Sequence, residues 1–462
     1  MSRLLISAAH KSSGKTTVTL GLCAAYAARG LRVVPFKKGP DYIDPMWLGL
    51  AAGHPCHNLD FHTMTHAEIL TAVGHHAAAA DIALIEGNKG LYDGLDLEGS
   101  NSNAALATLT RTPVVLVLDA RGMTRGIAPL ILGYQAFDPQ VHIAGVILNQ
   151  LGGSRHEAKL RAVIEHYTDV AVLGGVHRSA ELEIVERHLG LIPSNEDASA
   201  RARIERISTL IAAQVDLDAL RAAAGSAPLV YEPPPPPVAG TPVRIGIARD
   251  AAFGFYYPDD LEALRRAGAE LVPFDTLRDA RLPDIDGLFI GGGFPESRMQ
   301  ALQANSALRA RIREAIAGGL PAYAECGGLM YLARGLSWQG NRCEMVGAIP
   351  GEVVMHERPQ GRGYVRLRET GHAPWPAPHP AGVIAAHEFH YSSLEAVPPG
   401  LRYAYEVVRG TGIDGRHDGL LVNNLVACYS HMRDTAQHHW ARRFVDFVRA
   451  RRQPGKTDLH AV

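Results

Sequence analysis

Five successive prolines, residues 233–237, follow Glu232 and lead into Val-Ala-Gly-Thr-Pro. A proline ring fixes φ and removes the backbone donor, so neither a helix nor a central strand can run through such a segment. The stretch 231–242 reads as a stiff, extended linker that divides the 462-residue chain into two parts, each with a core of its own to bury. Domains are expected at 1–230 and 243–450, with a polar, disordered tail at 451–462. Composition allows it: 47% of residues are hydrophobic and 20% are charged, a globular balance.

On the N-terminal side, apolar runs at 4–8, 33–36, 82–85, 114–118 and 144–148 alternate with Ala- and Leu-rich helical stretches. Such runs are strands buried on both faces, as in parallel βα units, and they predict a doubly wound α/β domain. Beyond the linker the pattern restarts at 243–248, with strands expected at 271–274, 287–290 and 321–324 and helices near 259–267 and 305–317. Between 344 and 405 the runs are richer in β-branched and aromatic residues set between Gly and Pro turns, which predicts antiparallel strands added to a second α/β domain.

Lys and Arg total 46 against 47 Asp and Glu, a net charge of −1. No basic field exists to hold nucleic acid or an anionic membrane, so any anion site must be local. The start, MSRLLISAAHKSSGKTT, lacks the apolar core of a signal peptide, and no uncharged 18-residue apolar stretch follows. The five cysteines, Cys23, Cys56, Cys326, Cys343 and Cys428, form no CxxC pair, which argues against a disulfide framework and a structural zinc site. A reducing cytoplasm is the expected setting. The 22 histidines show no HExxH or repeated ligand spacing and read as solvated or structural.

The strand-like residues 4–6 run into Ser-Ala-Ala-His-Lys-Ser-Ser13-Gly14-Lys15-Thr16-Thr17 and then a helical stretch, the order of a nucleotide triphosphate site. Backbone N–H groups around Ser13, Gly14 and Thr17 would hold phosphate oxygens, with Lys15 reaching the β and γ phosphates and the Thr16 hydroxyl on Mg²⁺. Magnesium needs further hard oxygens, and Asp41, Asp44 and Glu86 are the nearest supply, although Gly-Pro-Asp and Tyr-Asp-Gly are ordinary turn sequences too. Asp119, after another apolar run, reads as a strand-end turn.

In the second half, the run 322–325 leads into Cys326-Gly327-Gly328, and 288–290 leads into Gly291-Gly292-Gly293-Phe-Pro-Glu. A cysteine flanked by glycines at a strand-to-helix turn has the form of a nucleophile elbow, its sulfur exposed at a helix N-terminus. Backbone N–H groups of Gly292, Gly293 and Gly327 would face the oxyanion of a tetrahedral intermediate. The base comes from His431, after the strand 425–429, with His387 and His390 as competitors. The other four cysteines read as inert core residues.

With a phosphate-loop half, a proline linker and a Cys–His half in this order, the chain resembles the cobyrinic acid a,c-diamide synthases, glutamine-dependent amidotransferases of corrinoid biosynthesis. The resemblance rests on SSGKTTVTLGL, FKKGPDYIDP, NLD at 58–60, IEGNKGLYDG, PVVLVLDARGM, GVILNQ, ERHLGL, GGGFPE, AECGGLMYL, HEFHYS and ACYSHM. It implies a dethiobiotin synthetase-like P-loop domain and a class I glutamine amidotransferase-like α/β domain. It also implies that Cys326 attacks the amide of L-glutamine with His431 as acid and base, while ATP phosphorylates a carboxylate of a tetrapyrrole polycarboxylate and ammonia displaces the phosphate. By motif, Tyr42, Ile43, Asp44, Glu86 and Asp93 fall in blocks lining the ATP and carboxylate site, and Asn149 matches an adenine contact. Lys37, Lys38 and Lys89 are candidates to face the macrocycle, and as a default they read as surface lysines.

Departures from the family pattern are Ala9 for the first loop glycine, Asn88-Lys89 in the second block, Arg433 near the base, and no glutamate at 432–434, consistent with a two-residue Cys–His variant. Cobyric acid synthases share the architecture, and a branch amidating sirohaem or sirohydrochlorin would use the same chemistry. Outside this class stand a switch-type P-loop ATPase acting as a binding module, which leaves Cys326 and His431 unexplained, and a scaffold with decayed sites. Oligomeric state is not readable here, a homodimer being one option.

Overall fold

The computed structural model describes residues 2–182, 191–377 and 382–452, with the backbone alone at 186–187 and 190. Residues 453–462 of the expected tail, and residues 188–189 of the ERHLGL block, lie outside the described residues. The chain divides into two compact units at Pro234/Pro235, inside the proline run. Among the described residues, no helix is long and apolar enough to cross a membrane.

Unit one is built on seven strands: β1 (Arg3–Ala8), β2 (Val33–Lys38), β3 (His57–Leu59), β4 (Ile82–Glu86), β5 (Val114–Asp119), β6 (Ile143–Leu151) and β7 (Val172–His177). All pair in parallel, in the order β3-β2-β4-β1-β5-β6-β7. Successive side chains alternate between faces, which explains why these strands are apolar throughout. Leu4, Ile6, Ile82, Leu84, Val115 and Val117 pack on one side with α1 (Lys15–Ala28), α2 (Ile43–Ala52) and the helix Ala200–Gln214. Leu5, Ala83, Ile85, Val114, Leu116 and Leu118 pack on the other with the helices His66–His76, Asn103–Thr110, Ile127–Phe137 and Ser154–Tyr167. Each strand is thus buried from both sides, and β1 sits between β4 and β5 at the centre.

Unit two carries a nine-stranded mixed sheet. Strands Ala269–Phe274, Val243–Ala248, Gly287–Ile290, Ala322–Glu325 and Leu425–Cys428 are parallel neighbours in that order. The sheet continues antiparallel through His417–Val422, Arg402–Arg409, Gly361–Glu369 and Ile384–His390, as the β-branched runs predicted. One face is covered by the helix Ser306–Ala317 through Leu308, Ile312 and Ile316, the other by Pro258–Arg266 and Trp440–Arg451 through Leu261, Trp440 and Phe444. A small four-stranded sheet that includes Gly335–Trp338 and Glu352–Met355 was not foreseen.

Candidate functional site

In unit one, β1 ends at Ala8, and the chain turns through 9–14 into α1. The turn needs left-handed backbone at Ser12 (φ 63°) and Gly14 (φ 80°). Gly14 heads α1 without a side-chain cap, and no acidic residue stands in the first turn, so the N–H groups and positive helix end face no negative side chain of their own helix. Three side chains brace the loop by its backbone. Ser13 Oγ donates to the His10 carbonyl (2.8 Å), the Tyr134 hydroxyl to the Ala9 carbonyl (2.7 Å), and Asn149 Nδ2 to the Ser13 carbonyl (2.8 Å). A Cβ on Gly14 would collide with that Asn149 amide. Asn149, expected against adenine, braces the loop. It lines a cavity of about 240 Å³ with Gly14, Thr17, Val18, Gln150 and Arg178.

The acidic residues converge beside the loop. The Thr16 hydroxyl donates to Glu86 Oε1 (2.5 Å) and, more weakly, to Asp44 Oδ2 (3.4 Å). Glu86 closes β4 fully buried, and Asp44 lies in the first turn of α2. Asp41 Oδ1 accepts from the backbone N–H of Ile43 (2.9 Å) and of Asp44 (3.3 Å), which sets the start of α2. Asp93 is exposed, and its carboxylate holds the Gly90 N–H at 2.9 Å. Tyr42 is buried, and Ile43 is half-buried.

Two lysines depart from expectation. Lys37 and Lys38, read as surface residues, are 3% and 5% exposed because both end β2 inside the sheet; Lys89 is exposed. Lys37 Nζ lies 2.5 Å from Asp44, 3.1 Å from Glu86 and 3.8 Å from Asp41, a buried cation amid three carboxylates. Burial alone would lower its pKa, and Asp44, Glu86 and Asp41 together raise it, so Lys37 stays charged. Lys38, donating to Asn88 Oδ1 (3.0 Å), has less compensation, and burial lowers it to about 8. Burial likewise lowers Lys15, against the opposing field of Glu86. Asp119 forms a strand-end turn, pairing with Arg121 at 2.5 Å.

In unit two, Cys326 stands between the strand Ala322–Glu325 and the helix Gly327–Leu332 with φ 46° and ψ −102°, a strained conformation for a side-chain-bearing residue. Its N–H donates to the Cys428 carbonyl (2.7 Å), which fixes the elbow to the next strand. Gly292–Gly293 pairs antiparallel with Phe253–Phe255. The loops meet at glycines: a Cβ on Gly327 would lie 2.8 Å from the Gly293 carbonyl, and one on Gly292 would lie 2.8 Å from His431 Cε1. Cys326, Gly292, Gly293, Gly327 and His431 therefore come together. Burial, with Glu296 nearby, pushes the Cys326 thiol up, so at rest the sulfur keeps its proton.

The competing histidines are engaged by other partners, His387 against His431 itself. His390 Nδ1 is bonded to the Ser392 carbonyl (2.8 Å) and its ring stacks on Tyr429 at 4.0 Å. His387 stacks on His431 (4.9 Å, 19°), and its Nδ1 lies 3.2 Å from the Tyr257 hydroxyl. Cys23, Cys56, Cys343 and Cys428 are buried and unbridged, as expected. Sequence reasoning missed Glu325, whose Oε2 lies 3.3 Å from His431 Nδ1.

The glycine loop yields a direct prediction. A Cβ at Gly293 would strike the Ala252 carbonyl, a backbone atom that cannot rotate away. Gly293→Ala is expected to destabilise unit two by about 1–3 kcal/mol and to slow alkylation of Cys326, checked by denaturant unfolding and by labelling kinetics. Wild-type values in both would mean that this backbone contact is not tight.

Comparison with known proteins follows this division. The CobQ/CobB/MinD/ParA nucleotide binding domain matches residues 5–192, and the CobB/CobQ-like glutamine amidotransferase domain matches 244–437. The chain is 49% identical to the cobyrinate a,c-diamide synthase of Magnetococcus marinus, covering 97% of this chain and 97% of the relative. It is 42% identical to that of Methanosarcina acetivorans (98% and 97% covered) and 40% identical to that of Listeria monocytogenes serotype 4b (94% and 96% covered). With a nucleotide-binding domain and a glutamine amidotransferase domain, matched along nearly its whole length by such relatives, the chain belongs to the cobyrinate a,c-diamide synthase family of C–N bond-forming ligases.

Proposed function

We propose that the protein amidates the a- and c-acetate carboxylates of cobyrinic or hydrogenobyrinic acid, drawing nitrogen from glutamine and driving force from ATP. What carries the reading is that one chain holds both a phosphate loop beside buried acids and a strained cysteine beside a histidine. Full-length relatives named for the cobyrinate reaction favour a corrinoid over sirohaem or sirohydrochlorin.

In unit two, the Cys326 sulfur attacks the glutamine amide carbon as its proton passes to His431. Backbone N–H groups at Gly292, Gly293 and Gly327 take the oxyanion's charge. The tetrahedral adduct expels ammonia with the proton from His431, and water cleaves the remaining thioester to glutamate. In unit one, an unactivated carboxylate cannot react with ammonia. Its oxygen attacks the γ-phosphorus of ATP, ADP leaves, and ammonia then displaces phosphate from the acyl phosphate to give the amide. Lys15 and the N–H groups of Ser13, Gly14 and Thr17 hold the phosphates. Asn149 and the cavity it lines take the nucleoside. Tyr42, Ile43, Asp93 and Lys38 face the carboxylate substrate.

The residues fit Mg²⁺. Among the described residues Glu86 Oε2 is buried without a hydrogen-bond partner, and Thr16, Asp44 and Glu86 offer hard oxygens in one cluster. These three, with Asp41 beside them, would hold the ion, which when bound offsets phosphate charge. Lys37 neutralises the same carboxylates. Lys37→Met is expected to destabilise unit one by about 3–5 kcal/mol, and Mg²⁺ is expected to restore more stability to the variant than to the wild type. Urea unfolding with and without Mg²⁺ measures this; equal Mg²⁺ effects would remove the cluster from the metal site.

The test of substrate is mass spectrometry after incubation with ATP, Mg²⁺ and glutamine and, separately, cobyrinic acid, hydrogenobyrinic acid, sirohydrochlorin and sirohaem. Two carboxylate-to-amide conversions on a corrinoid alone are expected. Amidation of sirohydrochlorin or sirohaem alone would replace the substrate and keep the mechanism.

A further inference from the structure

A Cys–His pair leaves open what orients the histidine. After His431 come Met432, Arg433 and Asp434, with no glutamate. Asp434 is engaged elsewhere: Oδ2 accepts from the Ala441 N–H (2.9 Å) and Oδ1 lies 3.2 Å from His439 Nδ1. A carboxylate instead reaches the imidazole from the residue preceding the nucleophile. Glu325 is 3% exposed, with Oε2 3.3 Å from His431 Nδ1. Its other oxygen accepts from the Tyr323 hydroxyl (2.6 Å) and from the Met432 N–H (3.1 Å). Those two donors fix the carboxylate, one from its own strand and one from the segment carrying the histidine. The positive φ of Cys326 breaks the strand's alternation, so two adjacent residues can address one imidazole.

We propose that Glu325 is the positioning residue of the glutaminase site, completing a triad with Cys326 and His431 from the position before the nucleophile. The proposal rests on the reading that these two residues hydrolyse glutamine. A buried carboxylate at Nδ1 holds the imidazole proton there and leaves Nε2 as the basic nitrogen. It also stabilises the imidazolium formed as the thiol proton moves. Base strength matters here because the resting sulfur is protonated. The rest of the surround fixes the ring plane. His387 stacks on it and exchanges backbone hydrogen bonds with His431 (2.8 and 3.2 Å), Tyr257 lies against His387, and the Arg433 guanidinium sits 4.2 Å from the centre of the Tyr257 ring while pairing with Asp259 at 3.0 Å.

The experiment uses the full-length protein and the near-isosteric Glu325→Gln. Glutamine hydrolysis is followed across pH, and Cys326 is titrated with 6-diazo-5-oxo-L-norleucine. Expected are a fall in kcat of about 10²-fold or more with KM within about threefold, a displaced acid limb of the kcat profile, and a smaller loss in Tyr323→Phe. A kcat within about threefold of wild type, on an unchanged pH profile, overturns the proposal. Histidine ¹⁵N NMR of the wild type, with His431 assigned through His431→Gln, decides the matter even where Glu325→Gln does not fold. A proton on Nδ1 supports the triad, and a proton on Nε2 alone overturns it. If wild-type Cys326 neither hydrolyses glutamine nor takes the label, the glutaminase reading fails, and the triad falls with it.

Discussion

Cys326→Ala is expected to lose glutamine-dependent amidation by about 10³-fold or more and to recover amide formation when ammonium salts replace glutamine. The sulfur is the only atom the proposed glutaminase chemistry makes covalent, so no neighbouring group can substitute for it. The alanine itself is sterically mild, because Cys326 already holds its strained turn through the N–H bond to the Cys428 carbonyl, which alanine keeps. Rescue at alkaline pH, where free ammonia is abundant, separates nitrogen supply from activation. Product formation with each donor, followed by liquid chromatography, checks it. Wild-type glutamine use in the variant would mean that nitrogen enters by another route.

Lys15→Ala is expected to lose amidation with either donor, by about 10²–10³-fold, and ammonia should restore none of it. Lys15 is the first residue of α1 and 8% exposed, with no side-chain cap ahead of it. On the proposed mechanism, its loss removes a cation from the charge developing on the transferred phosphoryl group. Initial rates of ADP release in the presence of the carboxylate substrate measure the effect. Recovery with ammonia would show that the two units do not divide the work as proposed. The pair of variants therefore forms a cross: one is rescued by ammonia, the other is not.

Much of this was legible from residues. Strands buried on both faces are apolar throughout, so β1, β4 and β5 stood out, as did the restart at Val243–Ala248. Positive φ at Gly14 and close approach at Gly293 and Gly327 leave glycine as a visible trace. Contacts made across the fold leave none. Lys37 looks like any lysine until β4 and α2 bring Glu86 and Asp44 to it, and then it is a buried counter-ion. Glu325 was hidden by strand alternation, which puts neighbours on opposite faces and fails only where Cys326 turns left-handed. The absence of a glutamate at 432–434 pointed to a two-residue Cys–His variant, and a search at that spacing passes over Glu325, whose carboxylate lies 3.3 Å from His431 Nδ1 from the far side of the elbow. Asn149 was singled out by motif as an adenine contact, while its bond to the Ser13 carbonyl left no trace in the sequence.

The most direct test of the central claim, that one chain makes ammonia from glutamine and spends ATP to place it on a corrinoid carboxylate, is isotope tracing with amide-¹⁵N glutamine. The protein is incubated with labelled glutamine, ATP, Mg²⁺ and cobyrinic acid, and the corrinoid is analysed by mass spectrometry beside the ADP formed. The account predicts two ¹⁵N-labelled amides per corrinoid and one ADP for each. An unchanged corrinoid, with glutamine and ATP both consumed, would contradict it.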